Sequence, residues 1–384
     1  MGARFLVLGG AGDMGSSVVY DLYSSNVDEI IIGDINEEGS KSLIEKLRNS
    51  ISSNSKISFK KLNIEDEDEF IKVAKDVDII INTIGPFYKY GKNIIKTSIE
   101  IEKDYVDIND DYDATLEILK LEEQIKNSNT RALIGMGWTP GITNVCAKAG
   151  YDFLDETYDI NISWVGSAAD AKGLAVILHT FHAVTGEVPM YLNGELCYVP
   201  ALQSKLLVDF PEPIGKAETY YVGHPEPITI PRYLKNIKNV TLRGGLIPDW
   251  QNSLLRQFVL VGLTEDREIN IRGIKISARE FLANFVHQTF EQFKMGGVEA
   301  SGFWVEIKGK KNDKDAIIQY SGADRMNKLT GWSASIGAQF LFMNKNKAKP
   351  GLYAPEALID PDWFMQELKR RGLKLRKEIR IIEY

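Results

Sequence analysis

Arg4-Phe5-Leu6-Val7-Leu8-Gly9-Gly10-Ala11-Gly12-Asp13-Met14-Gly15 decides the fold. A short apolar strand runs into Gly10-x-Gly12-x-x-Gly15, and a helix starts at once with Ser16-Ser17-Val18-Val19. In this pattern the first glycine permits the tight turn, the second lets the backbone approach a pyrophosphate, and the third lets helix and strand pack closely. The helix N-terminus adds free N–H groups and a partial positive charge for the phosphates. A second apolar strand, Glu29–Asp34, ends in a carboxylate about 20 residues beyond the middle glycine, where it accepts the ribose hydroxyls of an adenosine. A 2′-phosphate would meet like charge at Asp34, and the following residues, Ile35-Asn36-Glu37-Glu38, bring no arginine to invert it. The stretch therefore predicts a dinucleotide clamp with NAD preferred over NADP.

Working outward, the first third of the chain alternates strand and helix. Strands are expected at Arg4–Leu8, Glu29–Asp34, Ile57–Leu62, Asp78–Ile84, Asp104–Asp107 and Arg131–Gly135. Helices are expected at Ser16–Ser24, Gly39–Asn49, Glu67–Ala74, Gly91–Ile101 and Ala114–Asn127. Short apolar strands joined by helical crossovers specify a doubly wound parallel sheet, an α/β Rossmann domain. Its predicted cofactor-facing residues are Gly10, Gly12, Asp13, Met14, Gly15, Asp34, Ile35, Asn63, Ile64, Thr83, Gly85 and Pro86. The last three lie in Asn82-Thr83-Ile84-Gly85-Pro86-Phe87-Tyr88, a loop at the carboxyl edge of the sheet, where dinucleotides bind.

From about Tyr158 the pattern changes to longer strands and hairpins. Ser301–Lys308 and Ala316–Ser321 flank Gly309-Lys310-Lys311-Asn312-Asp313, and Ile269–Ile271 and Ile274–Ile276 flank Arg272-Gly273. This region is predicted to be an α+β domain with a largely antiparallel sheet. Gly194 to Pro231, rich in Pro and Gly, is expected to form extended loops over a cleft. Helices at Leu329–Asn344 and Asp362–Arg371 close the chain.

Bulk properties limit the partners. The 384 residues suffice for two domains and a large core. A net charge of −7, from 46 basic and 53 acidic residues, is spread rather than blocked, which argues against nucleic-acid and membrane surfaces. Two cysteines, Cys146 and Cys197, build neither a disulfide framework nor a cysteine zinc site and suit a reducing compartment. With no secretory segment at the N-terminus and no apolar span, a cytoplasmic location is expected.

The candidate chemistry gathers at strand ends. Asp107 tips the fifth strand, and Asp110 and Asp111 are expected to cap the next helix. Gly137-Trp138-Thr139-Pro140-Gly141-Ile142-Thr143-Asn144 follows the sixth strand, with a helix expected from near Pro140. There Trp138 could wall a pocket and Asn144 could bind substrate or cap. His179-x-x-His182 shares a helix face but lacks further ligands at a suggestive spacing, so core histidines are expected and no metal. Arg232, Arg243 and His224 fall in the loop-rich part of the second domain, and an arginine there suits a carboxylate.

These segments together resemble the saccharopine dehydrogenase-like family, which includes lysine 6-dehydrogenases and carboxynorspermidine-type reductases. The matching pieces are Gly9–Gly15, Asn82 to Gly91, Asp104-Tyr105-Val106-Asp107, Gly137 to Asn144, Thr330-Gly331-Trp332-Ser333-Ala334-Ser335-Ile336-Gly337-Ala338 and Lys349-Pro350-Gly351-Leu352-Tyr353-Ala354-Pro355-Glu356. The resemblance implies a Rossmann domain of residues 1–145 and 326–384, the C-terminal segment returning to it, and an inserted α+β domain of residues 146–325 for substrate and dimerisation. It also implies NAD(P)-dependent oxidation of a C–N bond, or reduction of an imine, on an amino-acid-like or amine substrate in a homodimer. Such chemistry must move one proton on the amine, for which Asp107 and His224 are the candidates, with Tyr88 as a donor near the ring. Trp138, Asn144, Arg232 and Arg243 are the candidate substrate contacts. A lysine 6-dehydrogenase or a carboxynorspermidine-type reductase is the alternative activity, and a non-catalytic NAD-binding sensor the alternative of another class.

Overall fold

The structure, a computed structural model, describes residues 2–171 and 173–382. The chain divides into two compact units, Met1–Ile142 with Asn327–Asp360, and Thr143–Met326 with Pro361–Tyr384.

The first unit alternates β1 (Arg4–Leu8), α1 (Asp13–Ser24), β2 (Glu29–Asp34), α2 (Glu37–Ser50), β3 (Lys56–Lys61), α3 (Glu67–Ala74), β4 (Ile79–Asn82), α4 (Phe87–Glu100), β5 (Asp104–Asp107), α5 (Tyr112–Leu119), α6 (Glu122–Lys126) and β6 (Arg131–Leu133). Local chemistry sets the helix starts. The Asn36 side chain accepts from Gly39 N ahead of the acidic first turn of α2, and Asp66 accepts from Glu69 N ahead of Glu67, Asp68 and Glu69 in α3. The helix expected at Ala114–Asn127 is two, because Leu121 N bonds to Ile118 O in a tighter i→i−3 turn.

With β17 (Gly351–Tyr353), all neighbouring strands of this unit's sheet are parallel, in the order β17-β6-β5-β4-β1-β2-β3. Six of them follow the doubly wound order expected. The seventh, β17, comes from the C-terminal return and extends the sheet beside β6. The core under one face joins Leu6, Leu8, Ile80, Ile94, Ile95, Tyr105 and Ile118.

The chain leaves this unit within α7 (Ile142–Phe153) and comes back within α13 (Met326–Met343). Small residues let α13 lie close on its neighbours. A Cβ on Gly331 would stand 2.5 Å from Ser17 Cβ of α1, and one on Gly337 2.5 Å from Met136 Cγ. Farther along, Phe342 meets Phe5 at 6.4 Å between ring centroids, and Arg131 donates to Leu341 O. The return therefore covers the parallel sheet domain. It stops earlier than expected, however: Pro361–Tyr384 belongs to the second unit, through strand pairing described next.

The second unit contains β7 (Glu156–Ser167), α8 (Leu174–Ala183), β8 (Glu187–Leu192), β9 (Glu195–Pro200), β10 (Leu206–Phe210), β11 (Gly215–Tyr221), α9 (Glu226–Tyr233), β12 (Asn239–Ile247), α10 (Trp250–Leu260), β13 (Glu268–Ile271), β14 (Ile274–Ser277), α11 (Ala278–Gln288), α12 (Phe290–Phe293), β15 (Ser301–Lys311) and β16 (Lys314–Asp324). After α14 (Pro355–Leu358) in the first unit, α15 (Pro361–Arg370) and β18 (Arg376–Ile381) complete it. Its main sheet runs β10-β11-β12-β7-β15-β16-β18, with β8 and β9 attached to β12. Among the described residues of this sheet, only β7 and β12 pair in parallel.

Two hairpins correct the expected turns. β15 and β16 continue to Lys311 and Lys314, so the turn is only Asn312-Asp313, both at positive φ, as a two-residue primed turn requires. Gly194 to Pro231 is not loop: it holds β9, β10, β11 and α9. The Asn193-Gly194 pair, at φ 55° and 87°, joins β8 to β9 in an Asn-Gly hairpin. Among the described residues, no helix is long and apolar enough to cross a membrane.

Candidate functional site

The β1–α1 turn assigns a separate task to each glycine. The tight turn expected at Gly10 has its left-handed residue at Gly9, at φ 72°. A Cβ on Gly15 would lie 2.1 Å from Gly9 O and 2.8 Å from Gly10 Cα, so this position must stay bare for α1 to approach the turn. A Cβ on Gly12 would meet only Gly9 O, at 3.2 Å. Gly12 is exposed, and this one tight contact with a backbone oxygen leaves the rest of its surroundings open. As N-cap of α1 it offers no side chain, so the first-turn N–H groups of Asp13, Met14 and Gly15 receive no side-chain cap. Such an N-terminus fits a pyrophosphate. Asp13 accepts instead from Asn327 Nδ2, at 2.9 Å, at the start of the returning α13.

Asp34 ends β2 with both carboxylate oxygens held: Oδ2 accepts from Ala11 N at 2.9 Å and Oδ1 from Asn36 N at 2.8 Å. It thus fixes the glycine turn as well as presenting charge beside it, a packing role the sequence did not disclose. Ile35 is exposed, and Lys61 stands opposite Asp34 in the β2–β3 register. Asn63 accepts from Glu65 N, with Ile64 half-buried beside it.

At the end of β4, Thr83 donates to Leu8 O at 2.7 Å, tying this loop to the tip of β1. Gly85 and Pro86 lead into α4, with Pro86 as its extended N-cap. Tyr88 lies in the first turn, half-buried, and its N–H donates to Asp111 Oδ2 at 3.0 Å. Asp111 therefore caps α4 rather than the helix that follows it. Nearby, Asn82 Nδ2 donates to the Tyr105 hydroxyl, at 3.0 Å.

Asp107, wholly buried, fastens two loops at the carboxyl edge. Its Oδ1 accepts from Gly135 N at 2.7 Å and Asn109 N at 3.1 Å, while Oδ2 has no hydrogen-bond partner. Burial pushes its carboxyl up to about 6, against the two N–H donors, which favour the charged form. Beyond β6, Trp138 is buried, and a Cβ on Gly141, at φ 127°, would collide with Gly137 O at 1.9 Å. That glycine turn postpones α7 to Ile142, two residues beyond the expected start at Pro140.

In the second unit the predicted residues separate into two groups. Arg243 lies on β12, where Nε donates to Ser204 O, Nη1 to Thr241 Oγ1, and Nη2 to Ser204 Oγ and the Tyr221 hydroxyl. It lines a cavity of about 580 Å³ on the polar face of the sheet with Asn161, Trp304, Glu306 and Arg376. Arg232 sits in the last turn of α9, its guanidinium 5.8 Å from the Tyr233 ring centroid. The two arginines are thus placed in different surroundings.

His224 belongs to the other group. Only 1% exposed, it stands with Nδ1 3.3 Å from Glu226 Oε2 and Nε2 3.2 Å from His179 Nε2. The Trp164 ring packs on it at 5.4 Å. Glu226 Oε1 accepts from Thr143 Oγ1, and Asn144 Nδ2 donates to Thr229 Oγ1 on the same helix as Glu226. His182, by contrast, turns its Nδ1 to Arg279 Nη1 at 3.1 Å, so the two histidines of α8 do not converge. The sequence reading missed Glu226, Thr143 and Trp164. For Glu226 the stretch His224-Pro225-Glu226 was a usable signal; for Trp164, brought in by β7, none existed.

A parallel doubly wound sheet, a bare glycine turn at an uncapped helix N-terminus and a carboxylate ending the second strand define an NAD(P)-binding oxidoreductase fold. Residues 5–133 match the family model of the saccharopine dehydrogenase NADP binding domain, and residues 137–373 that of the saccharopine dehydrogenase C-terminal domain. The chain belongs to the saccharopine dehydrogenase family. It is 22% identical over 330 residues to a carboxyaminopropylagmatine dehydrogenase of Synechocystis sp., covering 79% of this chain and 80% of that one. It is also 26% identical over 168 residues to a lipid droplet localized protein of Caenorhabditis elegans, covering 42% of this chain and 38% of that one. Among solved structures, an engineered D-amino acid dehydrogenase bound to NADP+ aligns over 97% of this chain and 100% of its own, at 14% identity and a TM-score of 0.49.

Proposed function

We propose that the protein is a dehydrogenase that oxidises a C–N bond, or reduces the corresponding imine, of an amino-acid-like substrate, with NAD preferred. The observation that supports the cofactor choice is Asp34, held by two backbone N–H groups at the end of β2, the position from which an acid in this pattern binds ribose hydroxyls. A second reading, NADP, is favoured by Lys61 opposite Asp34 and by the description of the matching family domain as NADP binding. The carboxylated amine in the name of the Synechocystis relative supports the substrate class.

The nicotinamide supplies hydride acceptance or donation when bound. The chain's own tasks are then clear. The N–H groups of Asp13, Met14 and Gly15 bind the pyrophosphate, and Thr83 keeps the neighbouring loop on the tip of β1. Oxidation further requires that a substrate ammonium lose a proton before hydride leaves its carbon, so that the imine nitrogen can form its double bond. His224, with His179 and Glu226, is the proposed proton-handling group. Asp107 is enclosed by the backbone it fastens, and Tyr88 is anchored in the first turn of α4.

A cofactor-linked absorbance screen tests the reading. Lysine, saccharopine, polyamine-type carboxylated amines and the corresponding hydroxy acids are offered with NAD and with NADP. Reduction of NAD by one of these amines is the expected result. Turnover confined to hydroxy acids, or a stronger response with NADP, removes the reaction class or the cofactor choice respectively.

A further inference from the structure

The main sheet of the second unit presents two different faces, because successive residues of a strand point to opposite sides. On β7, Trp164 turns to the face of His224, 5.4 Å away between ring centroids, and a Cβ on its register partner Gly244 would stand 2.4 Å from the Trp164 ring. Asn161 and Ser163 turn to the other face. There the register aligns two polar rows across the strands. One contains Thr241, Asn161, Glu306 and Gln319, and the next Arg243, Ser163, Trp304 and Arg376. β10 packs on this face, where its Val208 and Phe210 join Val165 and Ile247 in an apolar cluster that Trp304 borders. Val208 and Trp304 also line the cavity of about 580 Å³, together with Leu206, Leu207, Arg243 and Arg376. Its size is that of a small-molecule site.

The two rows differ in how they are satisfied. In the first, Thr241 Oγ1 donates to Asn161 Oδ1 at 2.7 Å, Asn161 and Gln319 donate to the two oxygens of Glu306, and Lys308 neutralises that carboxylate at 2.9 Å. In the second, Arg243 gives its N–H groups to neutral oxygens of Ser204, Thr241 and Tyr221, and among the described residues no carboxylate pairs with it. One N–H of Nη1 is left without an acceptor among them. Burial lowers the guanidinium pKa from its ordinary value, so this cation is partly desolvated without a counter-ion. Ser163, next in the row, is wholly buried, and its hydroxyl has no hydrogen-bond partner. A buried hydroxyl left unpaired costs stability.

We propose that this cavity is a second ligand site, which binds the carboxylate of a small molecule through Arg243 and its apolar body against Trp304, Leu206, Leu207 and Val208. A carboxylate balances the guanidinium and accepts its remaining N–H, and its second oxygen offers an acceptor to the Ser163 row. A phosphate dianion suits the site less, because Glu378 and Asp209 line the same cavity. The sheet lies between Arg243 and His224, so this ligand is not the molecule whose proton His224 handles. Arg243, expected from the sequence as a substrate contact, serves the second ligand instead.

Trp304 and Trp164 report on the two faces separately. The protein has six tryptophans, so indole N–H signals of the full chain labelled with 15N-tryptophan are few enough to assign, by Trp304→Phe and Trp164→Phe. The chain is titrated with 3-phenylpropionate and, separately, with its neutral amide, 3-phenylpropanamide. The acid should shift the Trp304 signal saturably, with a Kd of about 1 mM or tighter, and leave Trp164 in place. The amide keeps the shape without the charge and should bind at least about tenfold more weakly. Arg243→Gln, checked for folding by circular dichroism, should weaken the acid at least about tenfold as well. A Trp304 signal unmoved by the acid up to about 10 mM overturns the proposal. Equal binding of acid and amide overturns it too, as does native affinity in a folded Arg243→Gln protein. The acid and amide are compared on the native chain, so that comparison decides even if Arg243→Gln does not fold.

Discussion

The polar groups at the carboxyl edge of the first unit and those buried in the second are held in opposite ways. Asp34, Asp107 and Asn82 are fixed mainly by backbone N–H groups of neighbouring loops: Ala11 and Asn36, Gly135 and Asn109, and Ile84. His224, Glu226 and His179 are fixed by side chains, including Trp164 and Thr143, that come from separate strands and helices. The first arrangement keeps loops in place for a ligand. The second gathers titratable side chains into one buried cluster. A substitution in the first region should therefore appear as lost binding or altered stability, and one in the second as a slower reaction.

The strongest way to break this comparison lies in the glycine turn. Gly15→Val should prevent the first unit from folding, because its Cβ would overlap Gly9 O and the backbone of Gly10. Gly12→Val should keep the fold yet weaken NAD(P) by at least about 1,000-fold, ~4 kcal/mol. Circular dichroism and calorimetry separate the two. A folded Gly15→Val protein, or a Gly12→Val protein of native affinity, would contradict the separation of packing from ligand approach.

A smaller effect is expected at Asp107. Its folded carboxyl is raised to about 6 from an ordinary 3.8, so the folded chain retains a proton that the unfolded chain releases in between. This contribution to stability is full below about pH 4 and is lost as pH rises through about 6, a change of ~3 kcal/mol. Asp107→Asn should flatten that part of the profile, read from denaturant midpoints at successive pH values. An unaltered slope would mean that the buried carboxyl is not the group responsible.

How much of this was legible in the sequence follows the same division. β1, β2 and β5 were delimited to the residue, because their apolar runs end at glycines or acids whose meaning is local. The seventh strand was not, since Gly351–Tyr353 is only three residues long and pairs with β6 across a long stretch of chain. The Asn193-Gly194 turn was a readable hairpin signal obscured by the prolines and glycines around it. In the histidine cluster, His224 was picked out but its partners were not: His179 approaches from α8 and Trp164 from β7, and no spacing encodes such meetings.

The smallest expected effect sharpens the cofactor assignment. Asp34→Ala should weaken NAD by about tenfold, ~1.4 kcal/mol, and improve NADP relative to it, since both a ribose partner and a like charge disappear. Titration of each cofactor into native and variant protein checks this. Tighter binding of NADP than of NAD by the native protein would make Lys61, rather than Asp34, the deciding residue.

Hydride transfer from a nitrogen-bearing carbon is the centre of the account, and isotope transfer tests it most directly. The amine found in the screen is deuterated at that carbon, incubated with the protein and oxidised cofactor, and the reduced cofactor is examined by mass spectrometry. The account predicts deuterium on the nicotinamide and none in the solvent. Reduced cofactor that carries only protium would contradict it.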